Sequence, residues 1–283
     1  MSGYYDLPLL KPPVWTWEVP AYFFVGGAAG AAALVGAVAR ATGAPRELVR
    51  DARWIAAVGG AVSPALLISD LGRPERFLNM LRVFKLQSPM SVGAWTLVAF
   101  STTAAASAFA ETIQHRTSGP LPVRVVADAA GALSGATGLL LSTYTGVLLG
   151  ATAIPAWSRE VTLLPLRSGV SSLAAAASLL ELAGHRHRAL HHIALGAAAV
   201  ESIATARRAR GEFTASAADS HGAPLVRAGS MLTGPVPLLL RLVGGRSRSV
   251  RQVAALTAVT GSLLARIALI QAGRSSARFT RSE

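Results

Sequence analysis

The sequence predicts an all-α protein that crosses a membrane several times. Of its 283 residues, 52% are hydrophobic and only 14% are charged, and the mean hydropathy is +0.45. An ordinary soluble domain has about a quarter of its residues charged, so this composition is typical of a chain that lies in a bilayer. The apolar residues also fall in long runs, and a helix of about 20 residues spans a hydrocarbon core of about 30 Å.

Hydropathy divides the chain into about eight spans, which we expect to form two four-helix bundles. The first bundle comprises residues 1–160 and the second residues 161–283. The seventh span is short and contains Pro235 and Pro237, so a tilted, re-entrant or kinked segment is expected there. The predicted spans are residues 20–40, 53–70, 89–111, 122–150, 162–182, 189–206, 230–244 and 250–272.

The net charge of +13 indicates contact with the membrane surface rather than with nucleic acid. The arginines lie in short clusters between apolar runs, where anionic headgroups and the positive-inside bias account for them. Basic clusters occur in loops on both sides, so the charge bias assigns no orientation. The N-terminal stretch MSGYYDLPLLKPPVW lacks the basic region and apolar core of a cleavable signal peptide, so none is expected.

The chain has no cysteine, so it cannot ligate an iron–sulfur cluster. Any electrons that pass through it must therefore come from another subunit. A transmembrane haem needs facing histidines inside the spans, but here every histidine falls at a predicted span end or in a loop. We therefore expect no haem and no metal site. The histidines are His115, His185, His187, His191, His192 and His221.

Distinctive residues concentrate at the ends of the first four predicted spans. The loop from Asp70 to Trp95 reads DLGRPERFLNMLRVFKLQSPMSVGAW, and its Gly72, Arg73 and Pro74 stop the preceding helix. Because successive spans alternate in direction, the chain before span one and the loops after spans two and four must lie on the same side. The sequence therefore predicts that these helix ends share one site.

Four segments resemble motifs of the NrfD family, the polytopic subunit of polysulfide-reductase-type oxidoreductases. They are WTWEVPAYFFVGGAAGAA, DLGRPERF, SPMSVGAW and TYTGVLLGATAIPAW, and all lie within the first 157 residues. The resemblance implies a multi-pass subunit of a prokaryotic cytoplasmic membrane that binds menaquinone or ubiquinone near the face where an iron–sulfur subunit docks. It further implies a four-cluster ferredoxin-like partner and a molybdopterin catalytic subunit. The terminal substrate, whether polysulfide, formate or nitrite, would leave this subunit unchanged.

Glu18 and Asp70 are carboxylates at membrane depth, where an unpaired charge is costly. Asp70 can pair with Arg73 as a structural contact or serve the site. Glu18 can act as a proton acceptor beside a bound quinone or simply face water at the interface. We assign Glu18, Asp70 and Tyr144 as catalytic candidates, and Glu18, Tyr22, Arg73 and Tyr144 as quinone-binding candidates.

Tyr22 and Tyr144 each provide a hydroxyl that can donate to a quinone carbonyl within an apolar wall. Tyrosine is also common in the aromatic belts at membrane interfaces, and for Tyr22 both interpretations stay open. For Tyr144 the resemblance favours the site. Trp15, Trp17 and Trp157 are expected to be interfacial anchors.

Arg124 and Asp128 stand four residues apart and can neutralise one another on one helix face, far from Tyr144. They form either an interfacial ion pair or one end of a proton path that would include Glu201, with Glu181 and Arg266 as further members. Docking of the iron–sulfur subunit is expected to use the basic side chains of the first loop. These are Arg73, Arg76, Arg82 and Lys85.

Two other classes of function are compatible with these residues. One is a transporter whose intramembrane carboxylates couple proton movement to a solute. The other is a structural anchor without quinone chemistry, which would tolerate loss of the Tyr144 hydroxyl and of the Glu18 carboxylate.

Overall fold

The computed structural model describes residues 15–116, 120–158, 161–210, 223–244 and 247–279. Within these ranges the chain is helical and contains no strand, which confirms the all-α prediction. The helices are α1 (Glu18–Ala41), α2 (Arg46–Asp70), α3 (Arg76–Leu81), α4 (Pro89–Arg116), α5 (Leu121–Gly150), α6 (Pro155–Ser158), α7 (Leu163–Leu182), α8 (Arg188–Ala209), α9 (Ala223–Thr233), α10 (Pro235–Gly244) and α11 (Arg248–Phe279).

Seven of the described helices are long and apolar enough to cross a membrane, so the chain is a multi-pass membrane protein. They correspond to predicted spans one to six and eight, and most extend several residues beyond the predicted ends. Polar and charged residues in the terminal turns account for the extra length, because hydropathy detects only the apolar part of each helix. The seven are α1, α2, α4, α5, α7, α8 and α11.

The predicted seventh span is instead two short helices, α9 and α10, separated at Gly234. Pro235 and Pro237 fall in the first turn of α10. Because proline has no backbone N–H, these two residues cannot donate hydrogen bonds to the last carbonyl groups of α9. Gly234 also lies against α8, since a Cβ added there would approach the backbone nitrogen of Ser202 to 2.7 Å. The expected interruption therefore falls at Gly234, and the helical segment begins at Ala223 rather than at residue 230.

Contacts at its two ends show that the α9–α10 pair still runs the length of the neighbouring helices. Ser230 of α9 accepts a hydrogen bond at 3.1 Å from Arg208, near the end of α8. Arg241 of α10 forms an ion pair at 2.7 Å with Glu181, near the end of α7. Since α7 and α8 are consecutive and antiparallel, these two contacts lie at opposite ends of the bundle.

The first four long helices form a closed set in which α1 packs on α2 and α5, and α4 packs on the same two helices. Small residues allow the closest approach. A Cβ added to Gly30 of α1 would lie 2.4 Å from the carbonyl oxygen of Gly138 in α5, and the reverse substitution meets the oxygen of Gly30 at the same distance. Van der Waals contact between backbones therefore replaces side-chain packing here.

Helices α7 to α11 form the rest of the protein. Helix α7 packs on α8 and α11 but also on α1 and α5, and α11 contacts α1. The predicted boundary near residue 160 falls just before α7, and the division into two bundles stays a prediction because α7 belongs to both sets of contacts.

We call the two ends of the helix bundle the motif face and the opposite face. The motif face contains residues 15–18 and 70–95, the end of α5 and helix α6. The opposite face contains the end of α1, the start of α2, the end of α4, the start of α5 and the α7–α8 turn. The predicted site residues Glu18, Asp70 and Tyr144 lie toward the motif face.

Candidate functional site

Thr16 joins the two carboxylates that the sequence singled out. Its backbone N–H and its hydroxyl both contact the Asp70 carboxylate, at 3.2 and 2.5 Å, and the same hydroxyl contacts Glu18. The N-terminal segment therefore lies against the end of α2, as the alternation of spans predicted. Thr16 itself was missed, because it does not cap α1 and contacts Asp70 across 54 residues of sequence.

This arrangement suits a site that takes up and releases protons. A threonine hydroxyl has a single hydrogen, so Thr16 can donate to only one of Glu18 and Asp70 at a time. The other contact is a hydrogen bond only when that carboxyl group carries a proton. All three residues keep some exposure, so protons can exchange with water at the motif face.

Arg73 does not pair with Asp70 among the described residues, contrary to the pairing that the sequence allowed. Helix α2 ends at Asp70, and Gly72 adopts a left-handed conformation with φ of +65°. Glycine is favoured there because a Cβ would be strained. The turn leaves Arg73 exposed on the surface, so it is not brought together with the buried tyrosines.

Tyr144 fastens the end of α5 to the start of α4. Its hydroxyl donates to the carbonyl oxygen of Pro89, and its ring lies on Gly93. A Cβ added to Gly93 would fall 2.1 Å from the Tyr144 Cζ atom, so only glycine fits in this part of the SPMSVGAW segment. Because the hydroxyl hydrogen is used by Pro89, Tyr144 can donate to a quinone only after this bond is broken. Its assignment as a donor stays a prediction.

Ser63 is a buried hydroxyl group without a hydrogen-bond partner in the described part of the chain, and the neighbouring Tyr22 side chain is buried as well. Both lie beside Gly26, since a Cβ added there would be 3.2 Å from Ser63 Oγ and 3.4 Å from Tyr22 Cε2. Buried hydroxyls are normally hydrogen-bonded, so a ligand or a water is expected at Ser63. Sequence reasoning missed Ser63, although it lies seven residues before Asp70 and hence on the same face of α2.

The walls around Tyr22 are apolar and well packed. Its ring lies 5.5 Å from that of Phe23, measured between centroids, and Leu97 and Phe100 of α4 belong to the same buried cluster, together with Leu141 of α5. Apolar walls are chemically suited to a planar apolar ring, whereas a charged solute beside them would lose its hydration without compensation.

Trp157 holds the motif face to α11 and is not the interfacial anchor that we predicted. Its side chain is fully buried, its ring stacks on Trp15 with centroids 5.6 Å apart, and its indole N–H donates to the Leu269 carbonyl at 3.0 Å. Close contact with Gly273 makes this burial possible. Trp17, by contrast, is 70% exposed, as expected for an interfacial residue.

Asp128 lies at the opposite face but does not pair with Arg124, so the expected pairing within α5 is wrong. Its carboxylate accepts two hydrogen bonds from Arg40 at 2.8 and 2.9 Å, and Arg53 approaches it at 3.4 Å. Arg53 also pairs with Glu111 at 2.6 Å, while Arg124 is exposed. Partners from α1 and α2 reach Asp128 across the helix interfaces, which no spacing within one helix can indicate.

Glu201 is buried in the second set of helices, where it forms an ion pair with Arg167 at 3.6 Å. No described hydrogen bond or ion pair connects it to Asp128. The proton path through Arg124, Asp128 and Glu201 therefore stays a prediction.

Arg266 is a buried cation that connects α11 to the first bundle. Its Nε atom donates to the Phe23 carbonyl at 3.0 Å, and its terminal nitrogens donate to serine hydroxyls at 2.7–3.1 Å. Gly27 leaves the necessary space, since a Cβ there would approach the Ser172 hydroxyl oxygen to 2.5 Å. The serines are Ser171, Ser172 and Ser262.

The loop between α2 and α4 exposes both basic and apolar side chains. Arg73, Arg82 and Lys85 are exposed, and the backbone of Arg76 begins α3, but its side chain lies outside the described residues. Large apolar side chains are exposed beside them, which is a frequent sign of a protein or membrane contact. They are Leu78 (69%), Val83 (54%), Phe84 (52%) and Leu86 (75%).

The model of a family described as "Polysulphide reductase, NrfD" matches residues 9–203. This match contains all four motif segments and helices α1 to α7, and it ends within α8. Helices α9 to α11, including Arg266, lie outside it. No curated protein shows a significant match to the chain.

Proposed function

The chain belongs to the NrfD family of membrane subunits of polysulfide-reductase-like complexes, and we propose that it exchanges electrons between a quinone and the iron–sulfur cluster of a partner subunit. The quinone would be menaquinone or ubiquinone, and the chain would lie in the cytoplasmic membrane of a prokaryote. Because it has no cysteine, the electrons reach or leave the quinone through the partner.

One observation carries this proposal: two carboxylates and two hydroxyls, those of Tyr22 and of the unpartnered Ser63, follow the same two helices inward from the motif face. On α1, Tyr22 lies four residues beyond Glu18, about 6 Å deeper. On α2, Ser63 lies seven residues before Asp70, about 10 Å deeper. Hydroxyl donors for a quinone oxygen therefore stand below a pair of groups that can exchange protons with water.

The chemistry of quinones requires both kinds of group. Reduction of a quinone to a quinol adds two electrons and two protons, and oxidation of the quinol releases the same number. A hydroxyl aimed at a carbonyl oxygen stabilises the negative charge that develops there before protonation. We assign this role to Tyr22 and Ser63, and we assign proton exchange to Glu18 and Asp70 with Thr16 between them. Tyr144 positions α4 against α5.

The subunits with which NrfD family proteins assemble also support the proposal. NrfD family membrane subunits associate with iron–sulfur and molybdoenzyme subunits. We propose that a four-cluster ferredoxin-like subunit docks on the motif face, where Arg73, Arg82 and Lys85 can attract an acidic surface. A molybdopterin subunit would then supply the catalytic site of the complex.

The proposal is tested with a photoreactive quinone added to membranes that contain the assembled complex. After illumination, labelled peptides are mapped by mass spectrometry, and an excess of unmodified quinone serves as the control for specific labelling. We expect competable labelling of α1 and α2 peptides that contain Tyr22 or Ser63. Labelling confined to α7–α11, or labelling that excess quinone does not reduce, would contradict the proposed site.

A further inference from the structure

At the opposite face, two arginines converge on one buried carboxylate. Glu181 pairs with Arg241 at 2.7 Å and with Arg251 at 2.8 Å, and the side chains of Glu181 and Arg241 are only 3% and 0% exposed. Among these three side chains one negative charge therefore balances two positive charges, and the nearby Asp51 carboxylate contacts His185 at 2.9 Å. An uncompensated buried charge is expensive, so a further anion would stabilise the cluster.

The hydrogen bonds at this cluster are also incomplete. The Nε and Nη1 atoms of Arg241 are buried without a partner among the described residues, as is Nδ1 of His191. Arginine has five N–H donors and no acceptor, so Glu181 alone cannot satisfy Arg241 and Arg251. The Nε and Nη1 atoms of Arg241 need acceptors, which is the property of an anionic oxygen group, while Glu181 Oε2 is itself buried without a hydrogen bond among the described residues.

A small open pocket adjoins the cluster where the α7–α8 turn meets the start of α11. Gly184 makes the turn with φ of +105°. Glu181 and Arg251 line the inner part of the pocket, and Arg186 and Arg248 are exposed at its rim. His185, Gly184 and Gln252 complete the lining.

We propose that this pocket binds the phosphate group of an anionic phospholipid. Arg186, Arg248 and Arg251 would provide the charge-assisted hydrogen bonds that phosphate oxygens favour. The proposal concerns helix ends far from the motif face and does not depend on quinone chemistry.

Two observations favour a lipid over free phosphate. The pocket lies at the ends of membrane-spanning helices, the level at which headgroups surround a protein, and basic pockets between such helices bind lipid headgroups. Directly inward on α11, Val253 and Leu256 are about half exposed, at 49% and 52%. The acyl chains of a lipid can pack along these apolar side chains, whereas inorganic phosphate has no apolar part that could contact them.

The test measures binding to the full chain after purification in detergent and removal of lipid. Phosphatidylglycerol, phosphatidylcholine and inorganic phosphate are titrated separately, and bound lipid is counted by native mass spectrometry while thermal unfolding is followed in parallel. We expect phosphatidylglycerol to bind and to raise the unfolding temperature, with little effect from the other two. Equal stabilisation by inorganic phosphate, or equal binding of phosphatidylcholine, would overturn the assignment to an anionic lipid.

Variants of the rim distinguish this pocket from general attraction to a basic surface. Arg186→Gln with Arg248→Gln removes two charges without disturbing the Glu181 ion pairs, so the protein keeps its fold. Loss of a hydrogen bond from each rim arginine to the phosphate should weaken binding about five-fold, so the double variant should bind phosphatidylglycerol roughly twenty-five-fold more weakly. The matched control is Arg116→Gln with Arg124→Gln, two exposed arginines of the opposite face outside the pocket. Equal loss in both double variants would overturn the proposal.

Discussion

The hydroxyl of Tyr144 donates to the carbonyl oxygen of Pro89, and this hydrogen bond joins two of the four motif segments. The bond connects the end of α5 to the start of α4, and the Tyr144 ring covers Gly93 one turn further along α4. The tyrosine therefore has a structural role whether or not it also contacts a quinone.

Gly93→Ala is expected to destabilise the first bundle. The new methyl group would meet the Tyr144 ring at 2.1 Å, and overpacking of this kind typically costs about 1–3 kcal/mol. Thermal unfolding in detergent measures the effect. The control is Gly196→Ala, because Gly196 is an exposed residue of α8 with no described atom near the added Cβ, and alanine is the better helix former. If both variants unfold at the same temperature, the close contact of Tyr144 with Gly93 is contradicted.

Arg53→Gln is expected to be far more harmful than Arg40→Gln. The Arg53 side chain is 4% exposed and its loss leaves Glu111, 14% exposed, without its partner, a change that costs about 3–5 kcal/mol at buried sites. The Arg40–Asp128 pair is about 42% exposed, and such pairs contribute about 0–1 kcal/mol. Both variants are compared by unfolding in detergent.

Replacing both members of the buried pair provides the control for Arg53. Arg53→Met combined with Glu111→Met removes both charges, so most of the stability lost in Arg53→Gln should return. A double variant as unstable as the single one would show that the pair is not the source of the loss.

Charge reversal on the motif face is expected to weaken assembly with the iron–sulfur subunit. In Arg82→Glu with Lys85→Glu, two exposed positive charges become negative and should repel an acidic partner, more strongly at low salt than at high salt. Co-purification at two salt concentrations measures this. Arg116→Glu with Arg124→Glu makes the same change at the opposite face and should have little effect. Normal co-purification of the first variant at both salt concentrations would place the partner elsewhere.

The purified chain without its partners is expected to contain neither haem nor iron. It has no cysteine to ligate an iron–sulfur cluster. The sequence also places every histidine at a predicted span end or in a loop, where a pair of axial haem ligands inside the spans is not expected. Absorption spectroscopy and metal analysis test this. A Soret band that remains with the chain through purification would contradict the assignment of its electron transfer to quinone alone.

Sequence patterns predicted the features that depend on hydropathy and on the direction of the chain. The apolar runs gave the long helices, and the alternation of spans placed Glu18 and Asp70 on one side, where Thr16 now connects them. The motif segments indicated Tyr22 and Tyr144, but not that Pro89 would accept the Tyr144 hydrogen.

Contacts between distant parts of the chain could not be predicted in this way. Asp128 pairs with Arg40 and Arg53 instead of the nearby Arg124, because residues from other helices are closer in space. Trp157 resembled a belt residue and is buried against α11. Ser63 is an ordinary serine of an apolar helix, and only its missing hydrogen-bond partner marks it as a candidate.

Tyr22 is proposed to donate a hydrogen bond to a quinone oxygen as negative charge develops there. Tyr22→Phe keeps the ring and its packing and removes only the hydroxyl. Loss of one such donor commonly slows reaction by about 10²–10³-fold, and it should affect turnover more than binding because the bond strengthens as the charge forms.

Tyr144→Phe is the matched control, because it removes a tyrosine hydroxyl that is already bonded to Pro89. We expect this variant to lose about 1 kcal/mol of stability and to keep most of its turnover. Glu18→Gln complements both, since it keeps the size of the side chain and removes its capacity to accept a proton.

The most direct measurement is quinol-linked turnover of the assembled complex, with quinone occupancy determined on the same samples, in Tyr22→Phe and Tyr144→Phe. We expect turnover to be at least ten-fold lower in Tyr22→Phe than in Tyr144→Phe, with quinone still bound in both. Full turnover and normal occupancy in Tyr22→Phe would contradict it, and the same result in Glu18→Gln would favour a structural anchor without quinone chemistry.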